Sequence, residues 1–365
     1  MKIGLYSLPF HSNYGGVLQS YALQNVLKSM GHEVYVLNQN WLDIVGKRDR
    51  IMKTIYSISN IFTSKKRYDQ RTLLKMSIHE LQRFWTSNTD NLVNFKEFEE
   101  IKRLQLDAII VGSDQIWRKG YCKDTRWYFL DFTKGWDIKR VAYGASFGVS
   151  EWQFDEVTTR DMRDLISCFN GVSVREKDAL GLCKDYLERD AVFVLDPTFL
   201  LSIEDYQIFS VKKDKPGVRN IVSFMLHPTL EKKNIVHNLA KDLSVEVDDI
   251  DIPMKEEDKH AVESYKSVES WLTAMMNADY VITDSYHGMA FAINFNKPFV
   301  TLGNLQGGQA RFISLLETFN LSDRLSEDYD RILSLFKKDI NWNMINDIKE
   351  SMKNNSFSFI EKSLL

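Results

Sequence analysis

Short apolar runs alternate along the chain with segments in which apolar residues recur at helical spacing. The first run, residues 2–8, ends in the polar, glycine-containing loop 11–16, and the spacing after this loop predicts a helix that stops at Gly31. A second apolar run, residues 34–37, follows at once. Two strands joined by one helix form a right-handed βαβ unit, so the pattern predicts a parallel, doubly wound sheet.

The same alternation continues through the first half of the chain. It predicts further strands at residues 108–111, 141–144, 172–174 and 192–195. Polar residues follow the strand ends: Asn13, Ser113, Asp114, Ser146, Arg175 and Asp196. Because open parallel sheets bind ligands beyond the carboxyl ends of their strands, these residues are candidate ligand contacts.

A charged, turn-prone stretch at residues 212–217 separates this half from a second series of strands and helices. The second series predicts strands at 220–226, near 245, at 280–283 and at 298–301, and helices at 230–243, 268–276, 289–295 and 312–319. We therefore predict an α/β protein with two Rossmann-like domains, 1–212 and 218–325, whose sheets are mostly parallel. Residues 326–365 are predicted as a helical segment that packs back on the N-terminal domain.

Composition narrows the classes of protein. The chain has 365 residues, 44% of them hydrophobic, and a formal net charge of −3, which gives no global attraction to nucleic acid. Its N-terminus reads directly as a strand, and no apolar run is long enough to cross a bilayer, so the expected location is the cytoplasm. The three cysteines lack metal-ligand spacing, and we expect neither a metal nor a cofactor.

Residues 47–75 form a basic amphipathic stretch within the first domain. Nine lysines and arginines oppose two aspartates there, and isoleucines are interleaved with them. Such a stretch is typical of a solvated helical insertion, and also of a peripheral contact with an anionic membrane or a lipid-linked glycan. Both interpretations remain open at this point.

Two features of the first half of the chain carry candidate chemistry. Gly15 and Gly16 permit close backbone approach where a helix N-terminus is able to bind an anion, although the loop lacks the G-x-G-x-x-G pattern. Arg175 follows an apolar strand, where its guanidinium is suited to a carboxylate or phosphate, or to an ion pair with a neighbouring acidic residue. The second strand ends without the acidic residue that holds an NAD ribose, which disfavours a dinucleotide dehydrogenase.

The turn of residues 283–288 places His287 just beyond a strand and beside a glycine. Histidine exchanges a proton near neutral pH, and Asp284 and Ser285 lie close to it in sequence. The alternative is a helix-capping turn whose histidine bonds to backbone. Position alone does not separate a general acid from a cap.

Six segments in order, "NYGGVLQSYALQ", "DAIIVGSDQIW", "YGASFG", "VSVREKDAL", "VLDPTFLL" and "ITDSYHGMAFAINFNKPFV", resemble the polysaccharide pyruvyl transferase family. The resemblance extends to about Leu321. It implies a GT-B-like pair of domains around an interdomain cleft, with phosphoenolpyruvate as donor and a hydroxyl pair of a cell-surface glycan or its lipid-linked precursor as acceptor. The expected product is a pyruvate ketal.

The resemblance also implies roles for residues. His287 is the candidate general acid, and Arg175 helps to bind the donor. Independently of the resemblance, the position of the glycine loop adds Asn13, Gly15 and Gly16 as candidate donor contacts. Asp114 or Asp284 is the candidate to accept a hydroxyl proton or to orient His287. The candidate acceptor contacts are Ser113, Asp114 and Ser146.

One position departs from the family pattern. Some members have arginine two residues before this histidine, where this chain has Ser285. Ser285 is kept as a candidate donor contact, and Arg311 is the candidate to supply the missing charge. A nucleotide-sugar glycosyltransferase and a non-catalytic glycan-binding relative remain alternative functions, and the acceptor sugar and the oligomeric state stay open.

Overall fold

The computed structural model describes residues 1–9, 13–39, 70–210, 217–251, 266–303 and 308–365, with only the backbone for residues 70–77. Its strands are β1 Lys2–Tyr6, β2 Glu33–Gln39, β3 Leu92–Phe95, β4 Ala108–Gly112, β5 Lys139–Ala145, β6 Gly171–Val174, β7 Val192–Phe193, β8 Asn220–Phe224, β9 Glu246–Asp249, β10 Tyr280–Thr283 and β11 Phe299–Thr301. Its α-helices are α1 Tyr14–Ser29, α2 Gln70–Asn88, α3 Phe98–Lys102, α4 Glu156–Ser167, α5 Asp178–Leu187, α6 Ile203–Gln207, α7 Leu230–Leu243, α8 Val268–Asn277, α9 Tyr286–Asn294, α10 Ala310–Thr318, α11 Tyr329–Phe336 and α12 Trp342–Leu364.

Two sheets organise these elements. The first is seven-stranded, in the order β3-β2-β1-β4-β5-β6-β7, and the second is four-stranded, in the order β11-β10-β8-β9. Every strand pair described is parallel. The chain therefore has the predicted α/β fold with two Rossmann-like sheets.

Local sequence explains where α1 begins and ends. The side chain of Asn13 caps its N-terminus by accepting the Gly15 N–H at 3.0 Å. After the helix, Gly31 has a φ of +85°, a conformation that a glycine adopts without strain. β1 contributes Ile3 and Leu5 to one hydrophobic cluster and Tyr6 to another, so both of its faces are buried, which explains its apolar run after Lys2.

The prediction for residues 283–288 was wrong in one respect. β10 ends at Thr283 as expected, but α9 begins at Tyr286, three residues earlier than predicted. The hydroxyl of Ser285 accepts the Gly288 N–H at 3.3 Å and caps the helix. His287 therefore lies in the first turn of a helix, with its backbone position fixed by that cap.

β3 and α3 were not predicted. β3 pairs with β2 at one edge of the first sheet and has only Phe95 fully buried, so its sequence lacks the apolar run that marks the central strands. α3 is only five residues long, too short for a helical period to be visible.

Aromatic contacts join the two sheets at their carboxyl edges. Tyr14, at the start of α1, stacks on Trp271 of α8 with ring centroids 5.6 Å apart, and its hydroxyl donates to the Lys266 carbonyl at 2.6 Å. Phe199 packs against Phe319, at a centroid distance of 5.5 Å. One hydrophobic cluster is therefore continuous between the sheets.

α12 lies against β5 and β6, and Lys139 Nζ donates to the carbonyl of Leu364 at 2.9 Å. The predicted domain boundaries themselves stay predictions. Of the basic stretch 47–75, the structure describes only the backbone of residues 70–75, where α2 begins. The rest of the stretch falls outside the described residues. Within the described ranges, no helix combines the length and apolar character needed to cross a bilayer.

Candidate active site

His287 comes from the second sheet but lies against the first helix. Its side chain is 5% exposed, and its ring packs directly on Gly15. A Cβ atom on Gly15 would lie 1.9 Å from His287 Nδ1, so only glycine leaves room for the ring. Gly16, by contrast, has no neighbour within 3.7 Å of such an atom. The first turn of α1 and the first turn of α9 thus meet at the histidine.

The polar partners of His287 are Gln19 and Asp196. Nε2 of Gln19 contacts Nε2 of His287 and donates to Asp196 Oδ2 at 3.0 Å. Asp196 Oδ2 itself lies 3.8 Å from His287 Nε2. The imidazole therefore bonds to side chains from the first sheet and its helix α1, and the backbone-capped alternative does not describe it.

Arg175 lies between the carboxylates of Asp196 and Asp114. Its Nη1 donates to Asp196 Oδ2 at 2.6 Å and its Nη2 to Asp114 Oδ1 at 3.1 Å, and its side chain is fully buried. The predicted alternative, an ion pair, is therefore present, although its partners are not the neighbouring acidic residues. Arg175 holds Asp114 and Asp196 in place whatever else it binds.

Electrostatics keep both carboxylates ionised. Burial opposes ionisation of Asp196, but the interaction with His287 and the charge of Arg175 outweigh it and hold the pKa of Asp196 well below its usual range. Burial likewise opposes ionisation of Asp114, and the charge of Arg175 is the main cause of its lowered pKa. Asp114 also has a φ of +71°, in the left-handed region that is uncommon for non-glycine residues but tolerated by aspartate.

Tyr286 contacts two arginines. The Cζ atoms of Arg175 and Arg311 lie 4.7 Å and 5.3 Å from the centroid of its ring. Burial, and then the nearby charge of Arg175, lower the pKa of Arg311. The structure thus brings Arg311 into the same cluster as Arg175, as its predicted role requires, and both guanidinium groups lie within cation–π distance of the Tyr286 ring.

Asp284 is engaged elsewhere. Its carboxylate accepts the backbone N–H of Leu226 at 2.6 Å, the N–H of His227 at 3.2 Å and Lys232 Nζ at 2.6 Å. The carboxylate beside His287 is Asp196. The prediction that Asp284 orients His287 is therefore corrected: the carboxylate of Asp284 is held by the loop between β8 and α7 and by Lys232.

Three of the predicted contacts have side-chain hydrogen bonds already, and a fourth, Ser146, is buried. Asn13 and Ser285 are the N-caps of α1 and α9. Ser113 Oγ donates to the Gly144 carbonyl at 3.3 Å and accepts Arg175 Nη1 at 3.4 Å. Ser146 has no exposed surface, and its carbonyl accepts the Trp117 N–H at 3.1 Å. Direct substrate binding by Ser113 or Ser146 would require these buried side chains to become accessible, so their predicted acceptor role stays a prediction.

The sequence pattern marked Asp196 as a candidate ligand contact at a strand end but gave it no role in the chemistry, and it did not single out Gln19. Asp196 follows a strand, so its position was a usable signal. Gln19 sits among apolar residues of α1 and is 3% exposed, and a buried polar side chain within a helix needs a partner. That requirement was the signal for Gln19, but the partner lies 268 residues away.

No group of three or more histidine, cysteine, aspartate or glutamate side chains in the described part of the chain is arranged to hold a metal ion. Proton transfer and charge stabilisation are the chemistry that the clustered residues are able to supply. The cluster contains one histidine, two ionised carboxylates and two arginines.

Solved structures with the same architecture support the fold. A putative UDP-N-acetylglucosamine 2-epimerase from Listeria monocytogenes has a TM-score of 0.52 at 8% identity, covering 97% of this chain and 90% of that one. The S. aureus protein MnaA, solved with UDP, has a TM-score of 0.50 at 11% identity, covering 96% and 90%. The arrangement of the two sheets is thus GT-B-like.

Sequence comparison identifies the family. No curated protein matches the chain significantly. A family model described as polysaccharide pyruvyl transferase matches residues 13–306, which include every residue of the cluster around His287 except Arg311. The chain belongs to the polysaccharide pyruvyl transferase family.

Proposed function

We propose that the protein transfers the pyruvyl group of phosphoenolpyruvate to two hydroxyls of one sugar in a cell-surface polysaccharide or its lipid-linked precursor. The observation that supports this most directly is the convergence of His287, Gln19, Asp196 and Arg175 where the two sheets meet. A proton donor held beside fixed charges suits a reaction that begins with protonation of a carbon atom.

In the proposed reaction, His287 protonates the methylene carbon of phosphoenolpyruvate, which becomes a methyl group. Positive charge develops on the adjacent carbon, and an acceptor hydroxyl attacks that carbon and loses its proton. The bond from this carbon to the phosphate oxygen then breaks, and phosphate leaves. A second hydroxyl of the same sugar attacks and loses its proton, which closes the ketal.

The donor carries a carboxylate and a phosphate, and the proposed cations are Arg175 and Arg311 together with the N-terminus of α1. A helix N-terminus presents partial positive charge, and Gly15 and Gly16 add no side chains of their own to this one. Asp114 lies beside the N-terminus of α1, because its Oδ2 is 3.8 Å from the position that a Cβ atom on Gly16 would take. Its lowered pKa makes it a weak base, so we assign it to orienting the attacking hydroxyl.

The test is to incubate the purified protein with phosphoenolpyruvate and a panel of glycans, following phosphate release and product mass. The expected result is acceptor-dependent phosphate release together with a ketal product, both lost in His287→Asn. Thermal protection by nucleotide sugars but not by phosphoenolpyruvate would contradict the proposal and favour glycosyl transfer. Ligand binding without phosphate release on any acceptor would favour a binding protein.

We further propose that residues 47–75 bring the protein to an anionic bilayer that carries the acceptor. The support is the surplus of seven positive charges in that sequence. Sedimentation with vesicles containing anionic lipid, for the wild type and a variant with these charges neutralised, is the measurement. Equal, negligible binding of both proteins would overturn the membrane role and leave the solvated insertion.

A further inference from the structure

The C-terminal helix α12 lies beyond the residues that the family model matches, yet it contacts the segment that carries Asp196. The backbone N–H of Leu195 donates to Ser356 Oγ at 3.1 Å, one residue before Asp196. Ser356 has no exposed surface. The helix is therefore a neighbour of the site, although its sequence contains none of the recognised motifs.

A buried lysine of α12 reaches the helix that carries His287. Nζ of Lys349 is 3.4 Å from both the backbone carbonyl and Oδ1 of Asn294, the last residue of α9. Lys349 is 9% exposed. A cation at a helix C-terminus is favourable because the carbonyl groups there carry partial negative charge. The ammonium group therefore holds the end of α9 opposite to His287.

From Asn294 the polar contacts continue to the site. Asn294 Nδ2 donates to the Thr198 carbonyl at 2.9 Å, and Tyr206 donates to the same oxygen at 3.0 Å. The N–H and hydroxyl of Thr198 donate to Asp196 Oδ1 at 3.0 Å and 2.7 Å. Oδ2 of the same carboxylate faces Gln19 and His287. Buried polar networks of this kind fix geometry because each member loses its partner if another moves.

We propose that Lys349 is a positioning residue, which holds α9 and the turn after β7 in register so that His287 and Asp196 stay adjacent. The path has no gap: Lys349 binds Asn294, Asn294 binds Thr198, and Thr198 binds Asp196. The C-terminal helix thus supports the candidate active site through its contacts with the end of α9 and with the segment after β7. Its consequence for turnover rests on the proposed function, but its consequence for the geometry of His287 does not.

The first measurement is the NMR spectrum of the His287 imidazole, assigned by its loss in His287→Asn. Lys349→Met keeps an unbranched side chain, one heavy atom shorter, and removes the ammonium group. We expect the imidazole signals to move in this variant and in Asn294→Ala, and to stay in place in the control Lys362→Met, whose lysine lies exposed on the same helix. Unmoved signals in both folded variants would overturn the positioning role.

Activity provides the second readout. We expect Lys349→Met to lower kcat about tenfold while KM for phosphoenolpyruvate stays within about twofold, with partial recovery in Lys349→Gln, which keeps an N–H donor. The double variant Lys349→Met/Asn294→Ala should be no worse than the poorer single variant, because both act through one path. Additive losses would overturn the path. A wild type that forms no ketal refutes the proposed function and leaves the spectroscopic test intact.

Discussion

Gly15 of the first helix and His287 of the ninth lie in direct contact, with 1.9 Å between His287 Nδ1 and the position of a Cβ atom on Gly15. Gly15→Ala should therefore displace the imidazole and lower turnover by about 100-fold, within the range that acid–base catalysis contributes. Gly16→Ala is the matched control, because its new methyl group meets nothing closer than 3.7 Å.

Both variants place alanine in the same helical turn, where it is a better helix former than glycine. The control should keep the imidazole in place, so we expect its kcat to stay close to that of the wild type, with any loss confined to KM for the donor, because Gly16 belongs to the proposed donor site. It should also gain up to about 1 kcal/mol in free energy of unfolding. Steady-state kinetics and thermal unfolding distinguish the two. Full activity in Gly15→Ala would mean that the position of the ring is not critical.

Gln19→Leu should lower kcat with little change in KM for the donor. The substitution removes the amide that contacts His287 and Asp196 while keeping a side chain of similar size. Gln24→Leu is the control on the same helix, since its amide bonds to the carbonyl of Asn88. It should lose stability but retain turnover per folded molecule, and a similar loss of kcat in both variants would argue against a role specific to Gln19.

Arg175→Met should destabilise the protein by about 3–5 kcal/mol at neutral pH, because it leaves Asp114 and Asp196 buried without their cation. In the wild type both pKa values are lowered, so their contribution is complete above the unfolded pKa near 4 and is lost as the pH falls through the folded values. The difference between variant and wild type should therefore shrink below about pH 4.

Denaturant titrations at several pH values measure this difference. A pH-independent destabilisation of Arg175→Met would show that packing, and not charge, accounts for the effect. Donor affinity measured on the folded variant then reports any direct contact between Arg175 and phosphoenolpyruvate.

Asp251 provides a pH-dependent prediction away from the site. Burial, and then the charge of Asp249, raise its pKa to about 6, while its Oδ1 accepts Ser223 Oγ at 2.8 Å and the Met225 N–H at 2.7 Å. The folded state binds this proton more tightly than the unfolded state, so stability is lost as the pH rises through about 6.

Asp251→Asn keeps an oxygen acceptor and removes the charge. The variant should exceed the wild type by about 1–3 kcal/mol at pH 7.5 and by much less at pH 4.5. Urea denaturation at the two pH values measures the difference. An equal effect at both values would contradict the raised pKa.

The strands β1, β4, β8 and β10 were predictable because their mostly apolar sequences are almost wholly buried. The helix over Leu230–Leu243 was predicted with its exact ends, since its N-cap, Thr229, and its apolar period agree. β3 escaped prediction because it is an edge strand with a mixed sequence. Local pattern determines such elements only where burial is nearly complete.

The histidine of the candidate site and the arginines around it were predictable from the sequence. The carboxylate that faces the histidine was not. The neighbour of His287 in sequence, Asp284, bonds to the loop after β8, whereas Asp196 approaches from the other sheet. Which carboxylate faces the imidazole depends on how two sheets dock. That relation is set by aromatic contacts such as Tyr14 on Trp271, and no local pattern encodes it.

The carboxylate of Asp284 has a further consequence for the second sheet. Two backbone N–H groups and Lys232 converge on it in the way that proteins bind phosphate. A free anion would compete there with a tethered carboxylate, whose effective concentration is in the millimolar range or above. The carboxylate of Asp284 therefore occupies the anion-binding position of the loop after β8, and it holds the conformation of this loop without a bound substrate.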